Sequence, residues 1–289
     1  MTKKSFLEFH QLDADTLNAI IARAEELARA WSLRTMPQCL AGKRLAVIAD
    51  DTGWRNTTAF DLGIQAMGGL SIQPPVRFNV RETTADLAGY LDNWFDILIV
   101  RTRSLETLRK LDACSKASVI NARTTSNHPC ETLGDLSYIK RQRGYIEGLK
   151  VVCVAPDANI LRSWVEASIA LPIDVVQVYP QQWHVREERL LNERFRVSTD
   201  MQELLDADVI ITDSWVGDGD PEQLKSFRIT ASLLDQLKTE AIFLPCPPVE
   251  RGQEVSDDAM ENALCQSQAA KAYLLHAQNA LLEWVVSEP

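Results

Sequence analysis

The sequence predicts an α/β protein of two doubly wound parallel-sheet domains joined by helices, and three observations carry that expectation. Short apolar runs recur at Leu45 to Ala49, Ile97 to Val100, Val119 to Ile120, Val151 to Val154, Val175 to Val178, Val209 to Ile211 and Ile242 to Leu244. Most are followed by a stretch of helical periodicity, and strands alternating with helices build parallel sheets. No internal repeat or low-complexity linker divides the 289 residues, whereas Leu133 to about Gly148 reads as one connecting helix between two halves.

Taken in order, the chain opens on an amphipathic helix from Asp13 to Trp31. Leu17, Ile20, Ile21, Ala24, Leu27, Ala28 and Trp31 recur at helical spacing behind an aspartate suited to cap the start. After the first strand, Asp50-Asp51-Thr52-Gly53-Trp54-Arg55-Asn56-Thr57-Thr58-Ala59-Phe60 leads into a helix that ends at Met67-Gly68-Gly69. A strand-to-helix turn of this kind presents unpaired N–H groups and the positive end of a helix, which suits an anion. The next strand, Asp96 to Arg101, ends on an arginine. At the carboxyl end of a buried strand Arg101 is poorly placed for a solvated surface charge, and it is expected to face an anion.

The stretch Asn121 to Leu136 contains His128-Pro129-Cys130-Glu131 and puts His128 between an apolar strand and a helix. Ligands of open α/β sheets bind at that edge. A His-Pro-Cys triplet alone signals a helix start or a packing residue as readily as a catalyst. The last periodic stretch, Gln266 to Val286, predicts a long closing helix.

Composition narrows the class of partner. A formal net charge of −10 disfavours nucleic acid or an anionic membrane as the main target, while 46% hydrophobic residues suits a packed globular protein. No apolar run approaches the roughly 18 to 20 residues needed to cross a bilayer. Six cysteines stand far apart with no CxxC pair, and Met1-Thr2-Lys3-Lys4 leads into no apolar signal core. Both features predict a reducing, cytoplasmic setting. Four histidines and these cysteines form no recognisable metal-ligand spacing, so no metal is expected, and no cofactor is expected. His10, His184 and His276 read as structural.

Several of these segments resemble the aspartate/ornithine carbamoyltransferase family, and the ornithine branch most closely. His128-Pro129-Cys130-Glu131 is similar to its His-Pro-Cys-Gln signature. Phe243 to Val255 resembles its His-Cys-Leu-Pro segment followed by Arg-Gly, and the helix around Leu275-His276-Ala277-Gln278 resembles its closing helix. Further segments match in the same order along nearly the whole length. The resemblance implies two Rossmann-like domains, 1–142 for carbamoyl phosphate and 143–265 for an amino acid, with the helix 266–289 crossing back onto the first. It also implies a homotrimer with sites at subunit boundaries.

Residue by residue, the resemblance assigns a donor site with one large departure. Where the family carries Ser-Thr-Arg-Thr-Arg, this chain has Gly53-Trp54-Arg55-Asn56-Thr57, so Arg55 alone survives. Each hydrogen bond to a charged group is worth roughly 1.5 to 3 kcal/mol, so two lost hydroxyls would cost roughly 3 to 6 kcal/mol, or about two to four decades. Asn56 would replace one donor through its amide, and Trp54 would stack on a planar ligand or fill the gap. The alternative is a ligand-free helix start capped by Asn56. Arg55 and Arg101 are the expected phosphate-binding arginines, with Arg251 reaching the donor from the final segment, and His128 would polarise the carbamoyl carbonyl. Glu131 replaces glutamine and brings a negative charge near phosphate unless it turns away, pairs with Arg55 or Arg123, or meets a cationic ligand. It reads equally as a helix-start acid.

For the acceptor, Val154 to Ser163 retains Asn159, expected at the amino acid's backbone end. Asp208 to Gly219 offers Asp213 to an ammonium group, with Gly217-Asp218 in place of the family's Ser-Met, and Cys246 would touch the acceptor chain. The turn from Asp213 to Asp220 also reads as an acidic surface loop. Two functions follow. One is a carbamoyltransferase-type enzyme of altered donor or acceptor specificity, in one version taking a cationic amidine-like donor at Glu131. The other is a non-catalytic relative that binds a small molecule or a partner chain.

Overall fold

A computed structural model describes residues 3–50, 53–78, 82–217 and 219–288, so Asp51 and Thr52 of the first loop and Asp218 of the acidic turn lie outside the described residues. The first sheet is built from β1 (Arg44–Ala49), β2 (Leu70–Ile72), β3 (Ile97–Arg101) and β4 (Ser118–Arg123), in the order β2-β1-β3-β4 with every pairing parallel. The second uses β5 (Lys150–Val154), β6 (Asp174–Val178), β7 (Phe195–Ser198), β8 (Val209–Thr212) and β9 (Ile242–Pro245), in the parallel order β7-β6-β5-β8-β9. Their helices are α1 (Ala14–Leu33), α2 (Trp54–Ala66), α3 (Thr84–Leu91), α4 (Leu105–Cys114), α5 (Pro129–Arg143), α6 (Asn159–Ala170), α7 (Pro221–Leu224), α8 (Ala231–Leu234) and α9 (Ser267–Val286).

The two expected doubly wound α/β units are therefore present. Two strands without an apolar run, β2 and β7, sit at the sheet edges, where one side of the backbone and much of the side-chain surface stay in solvent. The connecting helix is displaced from the expected range. It starts at Pro129 and stops at Arg143 because Gly144 takes a left-handed φ of 80°, the usual way to end a helix.

α5 is the hub. Its residues from Pro129 to Ile139 are all buried, although they include Glu131, Thr132, Asp135 and Ser137. A helix buried on every side must find partners for its polar groups. It packs chiefly on α9, and also on α1 and α6, so a single apolar core runs from β1 and β3 through α5 and α9 to β5 and Trp164. α9 thus lies on the first-sheet side of the molecule, against α1, α2 and α5. Gly134 lets the α5 and α9 backbones approach closely: a Cβ there would sit 3.0 Å from the Leu274 Cα of α9.

Candidate active site

Each sheet has one topological switch point, between β1 and β3 in the first and between β5 and β8 in the second. Loops leaving adjacent strands there diverge and open a crevice at the carboxyl ends. The two crevices face one cavity of about 590 Å³. From the first sheet come Trp54, Arg55, Asn56, Arg101, Arg123, His128 and Glu131. From the second come Asn159, Asp213 and Cys246, while α9 contributes Lys271 and Leu274.

The helix starts around this cavity differ from the others. α1, α3, α4, α7 and α8 are capped by the side chains of Asp13, Thr83, Ser104, Asp220 and Thr230. α2, α5 and α6 begin at Gly53, His128 and Ala158 with no side-chain cap, as does α9 at Gln266. An uncapped first turn keeps backbone N–H groups and the positive end of the helix dipole for a ligand.

His128 is the N-cap of α5, held by its N–H donating to Ser163 Oγ at 2.7 Å across the junction between the sheets. Burial pushes its ring down to about 4, with Arg101, Lys271 and Arg123 adding to the effect against Glu131, so the imidazole is neutral near pH 7. Its Nδ1 is buried without a hydrogen-bond partner. Asn159 ties α6 back to the first sheet by donating from Nδ2 to the Thr124 carbonyl at 2.9 Å. Asp213 accepts from the Ser214 N–H at 2.8 Å, and burial raises its carboxyl to about 6. Burial also raises the thiols of Cys130 and Cys246, the latter well above its ordinary value, so both are neutral. Cys130 Sγ contacts the Asn121 carbonyl at 3.2 Å and packs in the core.

Glu131 is resolved by a residue that sequence reasoning missed. The Lys271 ammonium bonds Glu131 directly and lies 3.3 Å from Asp135 Oδ1, one turn further along α5. Burial alone would raise the Glu131 carboxyl, but Lys271, His128 and Arg101 more than offset it and hold it below its usual value. Asp135 goes the other way, to about 6, because burial and the neighbouring Glu131 outweigh Lys271.

Residues 4–141 match the family described as aspartate/ornithine carbamoyltransferase, carbamoyl-P binding domain, and residues 147–285 match its Asp/Orn binding domain. The chain belongs to the aspartate/ornithine carbamoyltransferase family. Within it, this carbamoyltransferase-family chain is 32% identical to the ornithine carbamoyltransferase of Nitrobacter winogradskyi over 85% of its own length and 84% of the relative's. It is 30% identical to that of Methanoculleus marisnigri over 97% of its length and 96% of the relative's. The solved ornithine carbamoyltransferase of Pyrococcus furiosus superposes with a TM-score of 0.92 at 25% identity, covering 97% and 96% of the two chains. The Thermus thermophilus enzyme gives 0.91 at 25%, covering 99% and 100%.

Three expectations for this family member need correction. Arg251 does not line the cavity: its guanidinium lies 3.2 Å from Glu261 and 3.8 Å from Asp257, and it borders a neighbouring cavity instead. Thr57 does not line it either, because its hydroxyl donates to the Trp54 carbonyl at 3.2 Å. Asn56 neither caps α2, whose N-cap is Gly53, nor offers its amide, which donates to the Ala122 carbonyl at 3.2 Å. Trp54 is 64% exposed and stacks with Arg55, whose guanidinium lies 5.1 Å from the ring. Among the described residues, the group with metal-ligand spacing is Glu8, His10 and Glu166, outside the cavity, and Glu8 there already bonds Arg109 and Arg189. No helix among the described residues is long and apolar enough to cross a membrane.

Proposed function

We propose that the chain transfers the carbamoyl group of carbamoyl phosphate to the side-chain amine of ornithine or a close analogue. The observation that carries this reading is the meeting in one cavity of a cationic half, Arg55, Arg101 and Arg123 beside the neutral His128, with an acceptor half, Asn159, Asp213 and Cys246. A doubly charged phosphate and a cationic amino acid need opposite charges side by side. The named relatives, which are ornithine carbamoyltransferases, support the acceptor class. In this reading residues 1–142 with 266–289 bind the donor and 143–265 the acceptor.

Neutral His128 donates a ring N–H to the carbamoyl oxygen, where negative charge grows as the amine lone pair attacks the carbon. A new C–N bond forms, the C–O bond to phosphate breaks, and the bonding pair leaves with phosphate, which takes the amine proton. The arginines hold that leaving charge, and binding fixes the two reactants at attack distance. No covalent enzyme intermediate is required, in keeping with two neutral thiols. With the Asn56 amide engaged by the Ala122 carbonyl, guanidinium groups take over from the family's hydroxyls, and an altered phosphate affinity follows from that exchange. The protein is expected to work as a homotrimer in the cytoplasm, a setting that suits its six unpaired cysteines.

The test is incubation with carbamoyl phosphate and a panel of amino acids and polyamines, following phosphate release and ureido products by mass spectrometry. A ureido product on ornithine or an analogue is the expected result. Folded protein without turnover would leave the non-catalytic binding reading, and sedimentation showing only monomer would count against the trimeric site.

A further inference from the structure

Lys271 stands on α9, and its ammonium reaches two carboxylates that lie four residues apart on the same face of α5. Glu131 and Lys271 line the cavity, whereas Asp135 lies behind them. All three are largely withdrawn from water, with side-chain exposures of 8% for Glu131, 7% for Asp135 and 17% for Lys271. Removing one member of such a group leaves an uncompensated buried charge. Left ionised and unpaired, Glu131 would repel any anion held by Arg55 and Arg101. Paired, it presents an oxygen acceptor whose charge is already answered within the protein, which also removes the reason for a cationic amidine-like donor.

We propose that Lys271 is a positioning residue for the donor: it holds Glu131 against α9 and neutralises it, so that the carboxylate serves a carbamoyl NH2 as an amide oxygen would. This rests on the carbamoyl-transfer reading above. Lys271 here acts through Glu131 rather than on the phosphate, and that distinction is measurable.

The experiment is a double-mutant cycle of K271M and E131Q, with donor KM, acceptor KM and kcat measured for carbamoyl phosphate and ornithine, and inorganic phosphate as a competing ligand. In the wild-type background K271M is expected to raise donor KM and weaken phosphate about tenfold or more, with acceptor KM changing much less. In the E131Q background the same substitution is expected to change donor KM and phosphate binding much less, because the charge facing the donor is gone and the carboxylate left without its ammonium, Asp135, lies behind it. E131Q/D135N/K271M keeps side-chain volume and removes all three charges, so it remains measurable if K271M alone folds poorly, and K271R should recover donor KM. Equal losses in both backgrounds would overturn the proposal and place Lys271 directly on the phosphate or in a purely structural role. A wild-type protein that neither binds nor turns over carbamoyl phosphate would overturn the parent reading and this one with it, an outcome separable from additivity in an active enzyme.

Discussion

The side-chain amide of Asn127 donates to both oxygens of the Glu166 carboxylate, at 3.2 and 3.3 Å, and so joins the residue before His128 to a helix of the second sheet. Glu166 is fully buried, and burial together with nearby Glu8 raises its carboxyl to about 8. The folded state therefore keeps a proton that the unfolded chain gives up near 4.5, and this stability is lost as pH rises towards about 8. E166Q should be insensitive in that window. Its stability relative to wild type should grow with pH by at most about 1.4 kcal/mol per pH unit and level off above the folded value. Urea melts from acid to mildly alkaline pH measure the difference, and parallel curves would show that the carboxyl is not protonated in the fold.

Gly53 is the N-cap of α2, and a Cβ there would overlap the Arg101 side chain. The obstacle is the far end of a flexible side chain, so G53A should fold normally while displacing the guanidinium. Losing one charged hydrogen bond costs roughly 1.5 to 3 kcal/mol, so kcat/KM for the donor should fall about ten- to a hundredfold with little change in Tm. An unaltered donor KM would mean that Arg101 does not hold the phosphate.

Removing a preorganised donor at a developing oxyanion typically costs 10² to 10³ in kcat, and H128A is expected to fall by roughly that factor. Because burial holds His128 at about 4, its proton should not shape activity at ordinary pH. A pH–rate profile with an inflection near 6.5 that H128A removes would contradict this. On the stability side, a histidine depressed in the fold makes the protein lose stability as pH falls from about 6.5 to about 4, and His276, also at about 4, adds to that slope.

Two glycines should respond oppositely to alanine. At Gly134 the new Cβ would meet α9 backbone at 3.0 and 3.2 Å, and backbone cannot swing aside. G134A should destabilise by about 1–3 kcal/mol, the usual cost of overpacking, and weaken donor binding by shifting Lys271. Gly89 lies in α3 with nothing within 4 Å of its added Cβ, so G89A should stabilise by roughly 0.5–1 kcal/mol. Denaturant midpoints of both variants check the contrast.

What the sequence made legible was whatever repeats locally. Central strands announce themselves because both faces are buried, as Leu98, Ile99 and Val100 are. β2 does not, since Leu70 and Ile72 are 55% and 43% exposed and the strand exists only by pairing with β1. Arg101 and His128 could be placed because a strand end and a helix start fix where a side chain emerges. Lys271 could not, being 140 residues from Glu131 and one polar residue among many in a periodic helix. Arg251 was misplaced for the converse reason: a linear motif match says nothing of Asp257 and Glu261, which hold the guanidinium once the turn is folded.

α9 follows the whole second sheet in the chain, yet it packs on α1, α2 and α5 beside the first. During synthesis, at roughly 5–20 residues per second, the first sheet waits on the order of ten seconds or more for its last helix. Throughout that interval α5 lacks the cover of α9, and Glu131 and Asp135 lack their ammonium. The apolar face of α5 stays uncovered until then, and the cavity that α9 completes is the last part of the molecule to come into existence.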